Sequence, residues 1–252
     1  MSRTITITNQ KGGVGKTTTA HAIATGLNHR GLKTLLVDLD PQSNLTYTMG
    51  ADGSTPTIYE LFNEEIKNPS SVIHHMEHGD LIPGSLLLAG ADMEYTKPGR
   101  EYILNEILEP LKGDYEYIVI DTPPALGILT INALTASNSL IIPMGADIYS
   151  LQGLSQLRGL VDNVRKYCNK DLIVEGLLIT RYNKRAIISR NLKEVMQETA
   201  KQLETKVFDT VIREGIAIKE AQAMQTTIYD NSPNANVTQD YSSLLDELLN
   251  KR

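Results

Sequence analysis

The stretch Lys11-Gly12-Gly13-Val14-Gly15-Lys16-Thr17-Thr18 sets two lysines around three glycines and closes on a hydroxyl pair. That combination is suited to holding phosphate. Glycines lack a Cβ, so successive backbone N–H groups can turn inward around phosphate oxygens. Lys16 would place a point charge on the β- and γ-phosphates of a nucleotide, and the Thr17 hydroxyl would ligate Mg²⁺. The stretch lies between an alternating β-branched run, Thr4-Ile5-Thr6-Ile7-Thr8, and a helix-like segment beginning at Thr17. Strand, glycine-rich loop and helix is the order a phosphate loop requires. Gln10 holds the place where the usual pattern opens with glycine, and Lys11 follows as a second lysine. From there Lys11 could point away from its own nucleotide and into the site of a facing subunit. Phosphoryl transfer gains from positive charge there, because negative charge shifts onto the bridging and γ-oxygens in the transition state.

Two acidic motifs end predicted strands. Lys33–Leu39 runs into Asp38-Leu39-Asp40-Pro41-Gln42, and Tyr117–Ile120 runs into Asp121-Thr122-Pro123-Pro124. In an open parallel sheet, ligands bind at the carboxyl ends of strands, so both motifs converge with the phosphate loop on one edge. Asp121 is placed to hold Mg²⁺ through water, Asp40 to orient or deprotonate an attacking water, and Asp38 to stand behind the metal. Taken singly, an Asp before Pro is a common strand-end turn.

The elements that position these residues alternate. Thr17–Arg30 reads as a helix stopped by Gly31. Helices are further predicted over Ile58–Ile66, Arg100–Leu111, Ile128–Ala136, Leu151–Tyr167, Ser189–Leu203 and Ala235–Asn250. Strands are predicted over Asp80–Pro83, Ser139–Pro143, Leu172–Thr180 and Lys206–Ile212, and an irregular mobile loop over Met49–Pro56. Short apolar strands between helices imply an α/β fold: a doubly wound, mostly parallel sheet flanked by helices, built as a single domain over 1–252. The 252 residues and 41% hydrophobic content support a sizeable core. The single cysteine, Cys168, excludes an intrachain disulfide framework and a Cys-ligated cluster. No apolar run approaches the ~20 residues of a membrane span and no signal core opens the chain, so a cytoplasmic protein without membrane contact is expected. A net charge of −6 argues against a globally basic nucleic-acid binder, though a local basic patch remains open. His74, His75 and His78 have loose metal-like spacing but read as a polar loop.

Lys11–Thr18, Asp38–Gln42 and Asp121–Pro124 resemble the deviant Walker A, switch I and switch II motifs of the ParA/Soj partition ATPases. The resemblance continues through Pro83-Gly84-Ser85, Leu88–Ala91 and the stretch from Pro143 to Leu157. It implies the P-loop fold and ATP hydrolysis with Mg²⁺ in a nucleotide-sandwich homodimer, with Lys11 crossing the interface. It further implies ATP-dependent, non-specific DNA binding on the nucleoid, and a ParB-type partner that stimulates hydrolysis. The chain begins at its first strand, like members without an N-terminal DNA-reading domain. Ser43 stands where family members commonly carry Gly. Ala217 stands where a second arginine contributes to DNA binding in Soj-like members, with Lys219 nearby as a substitute cation.

The segment Arg181–Lys193 carries Arg181, Lys184, Arg185, Arg190 and Lys193 with no acid before Glu194. Alone it reads as a solvated loop and helix start. With the resemblance it reads as the DNA surface, Arg185 falling where Soj-like members contact DNA. Asn183 is either a turn residue or, as the wider superfamily implies, an adenine contact. Three rivals share the loop. An iron protein of nitrogenase type needs cysteines that this chain lacks. A MinD-like membrane ATPase needs a basic amphipathic C-terminal helix, whereas Asp246 and Glu247 make this tail acidic and better suited to core packing. A small-molecule ATP-dependent synthetase of the same fold remains, although no substrate motif is evident.

Overall fold

The computed structural model describes residues 2–51, 56–145, 153–183 and 196–250. Its eight strands are β1 (Arg3–Ile7), β2 (Thr34–Asp38), β3 (His74–Met76), β4 (Gly79–Ile82), β5 (Tyr117–Asp121), β6 (Ser139–Gly145), β7 (Ile173–Tyr182) and β8 (Val207–Arg213). They form one sheet in the order β3-β4-β2-β5-β1-β6-β7-β8. Every pairing is parallel except β3 with β4. The expected doubly wound sheet is therefore present, with an antiparallel hairpin added at one edge.

Side chains alternate across the sheet, and each face has its own core. Tyr117 and Val119 of β5 point to one face with Ile5, Ile7, Leu36 and Phe208. Ile118 and Ile120 point to the other with Leu35 and Val37. The first face is covered by α1 (Lys16–His29) and by α11 (Asn236–Leu249), which follows the helix at 196–202 (α8), α9 (Ile216–Ala223) and α10 (Ile228–Asn231). The second face is covered by α3 (Ile58–Phe62), α5 (Ile103–Leu108), α6 (Ile128–Thr135) and α7 (Leu154–Tyr167). Gly26 lets α1 approach its cover closely, since a Cβ there would sit 2.4 Å from the Tyr229 hydroxyl and 2.5 Å from Leu245.

The C-terminal helix also closes the open edge of β8. Glu247 accepts from the backbone N–H groups of Asp209 at 3.3 Å and Thr210 at 3.2 Å and pairs with Lys206. Asp240 accepts from the backbone N–H of Arg213 at 2.9 Å. Carboxylates thus occupy donors that an exposed edge strand would offer to another chain. The acidic tail packs Val237, Tyr241, Leu244, Leu245 and Leu248 into the core, as its apolar spacing predicts. Among the described residues no helix is long and apolar enough to cross a membrane.

Several predicted boundaries need correction. The helix predicted over Ile58–Ile66 stops at Phe62, because Asn63 caps it and Glu64 turns left-handed at φ 57°. Arg100–Leu111 is an α-helical core, Ile103–Leu108, between 3₁₀ turns, with Pro110 in the second turn. His74–Met76 is an edge strand rather than a polar loop, and His75 binds Asp80 across the hairpin at 2.7 Å. The helices α2 (Asn44–Thr48), α4 (Ala91–Glu94), α9 and α10 have no counterpart in the sequence reading. Residues 52–55, 151–152 and 189–195 of the predicted loop and helices lie outside the described residues.

His21, in α1, is buried with no hydrogen-bond partner on Nε2. Burial, helped by the nearby His78, pushes its pKa from 6.5 down to about 4. The folded state therefore holds His21 neutral while the unfolded state protonates it below pH 6.5. Stability falls as pH drops from 6.5 towards 4, by at most ~3 kcal/mol at about 1.4 kcal/mol per pH unit. Urea unfolding of wild type and His21→Leu between pH 7 and pH 4.5 checks this. The difference between the two curves should shift in favour of the variant as pH falls, and a constant difference would refute the assignment.

Candidate functional site

The register of the central strands assembles the site. Ile7 of β1 lies opposite Asp121 of β5, and Asp121 lies opposite Asp38 of β2. The loop that leaves β1 therefore emerges directly beside Asp121, with Asp38 level with it one strand further along. Its entry is held by Asn9, which donates from Nδ2 to the Pro143 carbonyl at 2.7 Å and accepts from the Lys11 N–H at 3.0 Å. Gly13 and Gly15 adopt φ 73° and 85°, left-handed values that favour glycine. The α1 N-terminus follows at once, adding its dipole to the loop's N–H groups.

Lys16 opens α1. Its Nζ lies 3.3 Å from the Lys11 carbonyl. Burial lowers its pKa, while Asp121 and Asp40 pull it back up. Lys11 is half-buried, and Gly12 and Gly13 are exposed beside it.

The three acids have different surroundings. Asp38 is fully buried, and its Oδ2 accepts from the Thr46 backbone at 2.9 Å and the Thr46 hydroxyl at 2.7 Å. Its Oδ1 accepts from the Asp40 N–H at 3.1 Å. Burial raises its pKa to about 6 against the pull of these donors, and the Asp40 charge adds to the rise. Asp40 is nearly buried and accepts from the Gln42 N–H at 3.0 Å through Oδ1. Asp121 is fully buried; neither of its carboxylate oxygens has a hydrogen bond of good geometry, and the Thr17 hydroxyl is a donor close by. Burial first, then Asp38 and Asp40, push its pKa well above the carboxylate range, with the Thr17 hydroxyl and Lys16 pulling the other way. An orphaned buried carboxylate costs several kcal/mol if ionised without a counter-charge, on the order of the penalty for any unpaired buried ion. A cation between Asp121 and Thr17 would remove that penalty, so the donor set fits Mg²⁺. Among the described residues no group of three or more His, Cys, Asp or Glu side chains could hold a metal. A cation here would thus lean on phosphate oxygens, as Mg²⁺ commonly does.

A cleft of about 260 Å³ adjoins the loop and is lined by Gly15, Thr18, Thr180, Ile212, Lys219 and Tyr241, among others. A hollow of about 290 Å³ is lined by Lys11, Gly12, Val14 and Gly145 and shares Gly13, Arg181 and Glu214 with the cleft. A larger hollow of about 420 Å³ near Tyr95, Lys97 and Arg100 shares no residue with the loop.

Residues 2–174 match the family described as an AAA domain. The chain is 38% identical over 252 residues to the sporulation initiation inhibitor protein Soj of Bacillus subtilis (strain 168), covering 98% of each. The chain belongs to the ParA/Soj family. Two solved structures bear on the nucleotide site. One is cobyrinic acid a,c-diamide synthase from Mycobacterium smegmatis with bound ATP analog and magnesium. It is 32% identical, has a TM-score of 0.87, and covers 99% of this chain and 94% of that one. The other is a putative plasmid partition protein from Borrelia burgdorferi bound to AMPPNP, 28% identical, with a TM-score of 0.83 and 100% of both chains covered. The chain is thus of the ATP-binding P-loop type.

The family's glycine after Asp-Pro-Gln has a visible reason. Ser43 occupies that place with φ 50°, a conformation costing a non-glycine residue ~1 kcal/mol or more. Ala217 is buried in the core and could not be a surface arginine without unpacking α9. Arg213 makes a bidentate pair with Asp240, at 2.6 to 3.1 Å, so its guanidinium is already engaged. Lys219 is exposed and lines the cleft beside the loop. Asn183 is exposed just past β7 and is not among the cleft-lining residues, whereas Thr180 and Arg181 are. Lys184, Arg185, Arg190 and Lys193 lie outside the described residues. The sequence reading missed Asn9, Thr46 and Thr180. Their signal was a short polar residue beside a strand end or in the turn after it, which by itself marks only a turn.

Proposed function

We propose that this protein is a DNA-partition ATPase that hydrolyses ATP with Mg²⁺ as a sandwich homodimer. The observation that carries the proposal is the buried, unpartnered Asp121 carboxylate beside Lys16 and Thr17, with Asp40 at hand. That donor set fits one divalent cation held against a polyphosphate. The N–H groups of Gly12 to Thr18 cradle the phosphates, and Lys16 balances their charge. Thr17 and Asp121 would hold Mg²⁺, with Asp38 behind them fixing the Asp40–Thr46 turn; when bound, the ion neutralises charge on the β- and γ-phosphate oxygens. Asp40 orients the attacking water and takes its proton. Lys11 reaches the phosphates of a facing copy, so each site is complete only in the dimer. The ATP-bound dimer holds DNA without sequence preference, and hydrolysis stimulated by a ParB-type partner releases it.

The similarity to Soj over nearly the whole chain supports this reading. Likeness to cobyrinic acid a,c-diamide synthase keeps a second reading in view, an ATP-dependent synthetase acting on a small molecule. The two are separated by what accelerates ATP turnover. A partition ATPase is slow alone and speeds up with DNA plus a centromere-binding partner. A synthetase ignores both and responds to a metabolite carrying a carboxyl group.

Under the partition reading the Arg181–Lys193 segment carries the DNA contact. A protomer in a chain of net charge −6 offers few phosphate contacts, and dimerisation doubles them, which makes ATP necessary. Arg185→Glu, alone or with Lys184→Glu, should weaken binding equally on unrelated sequences. It should also reduce the salt slope by roughly one unit per lost contact. Filter binding across a salt series measures both, with gel filtration confirming that ATP-dependent dimerisation survives. Binding at wild-type strength by the charge-reversed dimer would move the DNA surface elsewhere, Lys219 being the next candidate.

A further inference from the structure

We propose that the last residues of β7, Thr180 and Arg181, are positioning residues that preset the phosphate loop for nucleotide. The inference rests on the reading of Lys11–Thr18 as a phosphate cradle and adds to it what holds that cradle open. The Thr180 hydroxyl lies 2.8 Å from the Val14 carbonyl and 3.0 Å from the Met144 carbonyl, its proton bridging loop and β6 in a buried setting. Arg181 Nη1 lies 3.4 Å from the Gly13 carbonyl. Two consecutive loop carbonyls are therefore drawn towards β7. In a trans peptide the C=O and the next N–H point in opposite directions. Anchoring the Gly13 and Val14 carbonyls on β7 consequently aims the N–H groups of Val14 and Gly15 away from β7 and into the cradle. Without these anchors the Val14–Gly15 peptide could flip, since Gly15 tolerates either sign of φ, and the Gly13–Val14 peptide would lose the bond that fixes the Gly13 ψ.

The backbone of Arg181 is itself unusual. Its φ is 52°, a left-handed conformation that an arginine adopts only against steric resistance. Its guanidinium is held by Glu214 at 3.4 Å, and both side chains line the cleft and the adjoining hollow. Strain of this kind persists where the surroundings over-determine it, and it gathers at sites that must be preorganised. Glu214 follows β8 and precedes α9, so the pair ties the loop to the wall of the cleft.

The test separates positioning from mere packing. Equilibrium binding of a fluorescent ATP analogue with Mg²⁺ is measured together with thermal melting. Thr180→Val, which removes the hydroxyl at nearly constant shape, should raise Kd by roughly 5- to 20-fold, the worth of one or two hydrogen bonds. Thr180→Ser, which keeps the hydroxyl, should restore most of that affinity. Arg181→Gly should raise Kd by roughly 3- to 10-fold while its melting temperature holds or rises, because glycine relieves the backbone strain as the anchor is lost. Wild-type affinity in both Thr180→Val and Arg181→Gly would overturn the inference. So would a loss in Thr180→Val that Thr180→Ser does not repair, or a melting temperature in Arg181→Gly that falls in step with affinity. A wild-type protein that binds no nucleotide would overturn the phosphate-loop reading itself, a result distinct from all of these.

Discussion

Lys16→Ala and Lys11→Ala should both abolish ATP turnover, and they should do so at different stages. Lys16 is the buried cation among Asp40, Asp121 and the loop, and Asp121 and Asp40 both act to keep it charged. Its removal leaves the phosphates without their point charge and Asp121 and Asp40 without the ammonium that faces them. Nucleotide binding by the monomer should collapse, and kcat should fall by at least the 10²–10³-fold typical of losing one charge-stabilising donor. Lys11 is half-buried at the loop's entrance and offers its carbonyl, not its ammonium, to Lys16. Lys11→Ala should therefore bind nucleotide as a monomer close to wild type and fail to form the ATP-dependent dimer. Isothermal titration with ATP and gel filtration with ATP, ADP and no nucleotide distinguish the stages. A Lys11→Ala protein that dimerises with ATP and hydrolyses it normally would remove the sandwich from the mechanism.

Asp40→Ala should separate binding from chemistry. Asp40 reaches the edge of the site with one carboxylate oxygen held by the Gln42 N–H. Asp38, two residues earlier, spends its carboxylate on Thr46 and the Asp40 backbone. Replacing Asp40 thus removes the free base while the turn keeps its main hydrogen bonds. Hydrolysis should slow by about 10²–10⁴-fold, the usual worth of a positioned general base. Thr17 and Asp121 remain, so ATP and Mg²⁺ should still bind, and the protein should accumulate as an ATP-bound dimer that stays on DNA. Single-turnover kinetics and DNA retention in a flow cell read the two effects. Normal turnover in Asp40→Ala would assign water positioning to another side chain. Asp38→Ala is the informative contrast: it should damage stability as well as activity, because the Thr46 hydroxyl and N–H lose their acceptor in a buried turn.

The members of the candidate site were legible in the sequence because each motif depends on local order. A phosphate loop must follow a strand and open a helix, and the acids that serve it must end neighbouring strands. Lys11–Thr18, Asp38, Asp40 and Asp121 all obey rules that span fewer than ten residues each. The apolar face of the tail was legible for the same reason, since helical spacing is a local property. What sequence could not supply was register and cross-chain anchoring. Whether Asp38, Asp121 and Ile7 lie level is decided by how β2, β5 and β1 slide against one another. Which carboxylate is saturated and which is orphaned is decided by Thr46, a residue that lies eight positions from Asp38 and nowhere near Asp121 in the chain. The loop's anchors Thr180 and Arg181 are 166 and 168 residues from the carbonyls they hold. His74–Met76 became a strand because β4 offered an edge to pair with, not because of its own composition. Sequence carries the candidate groups. Only the packed sheet determines which of their hydrogen-bonding atoms are already engaged and which remain for a ligand, because that depends on partners brought together by folding.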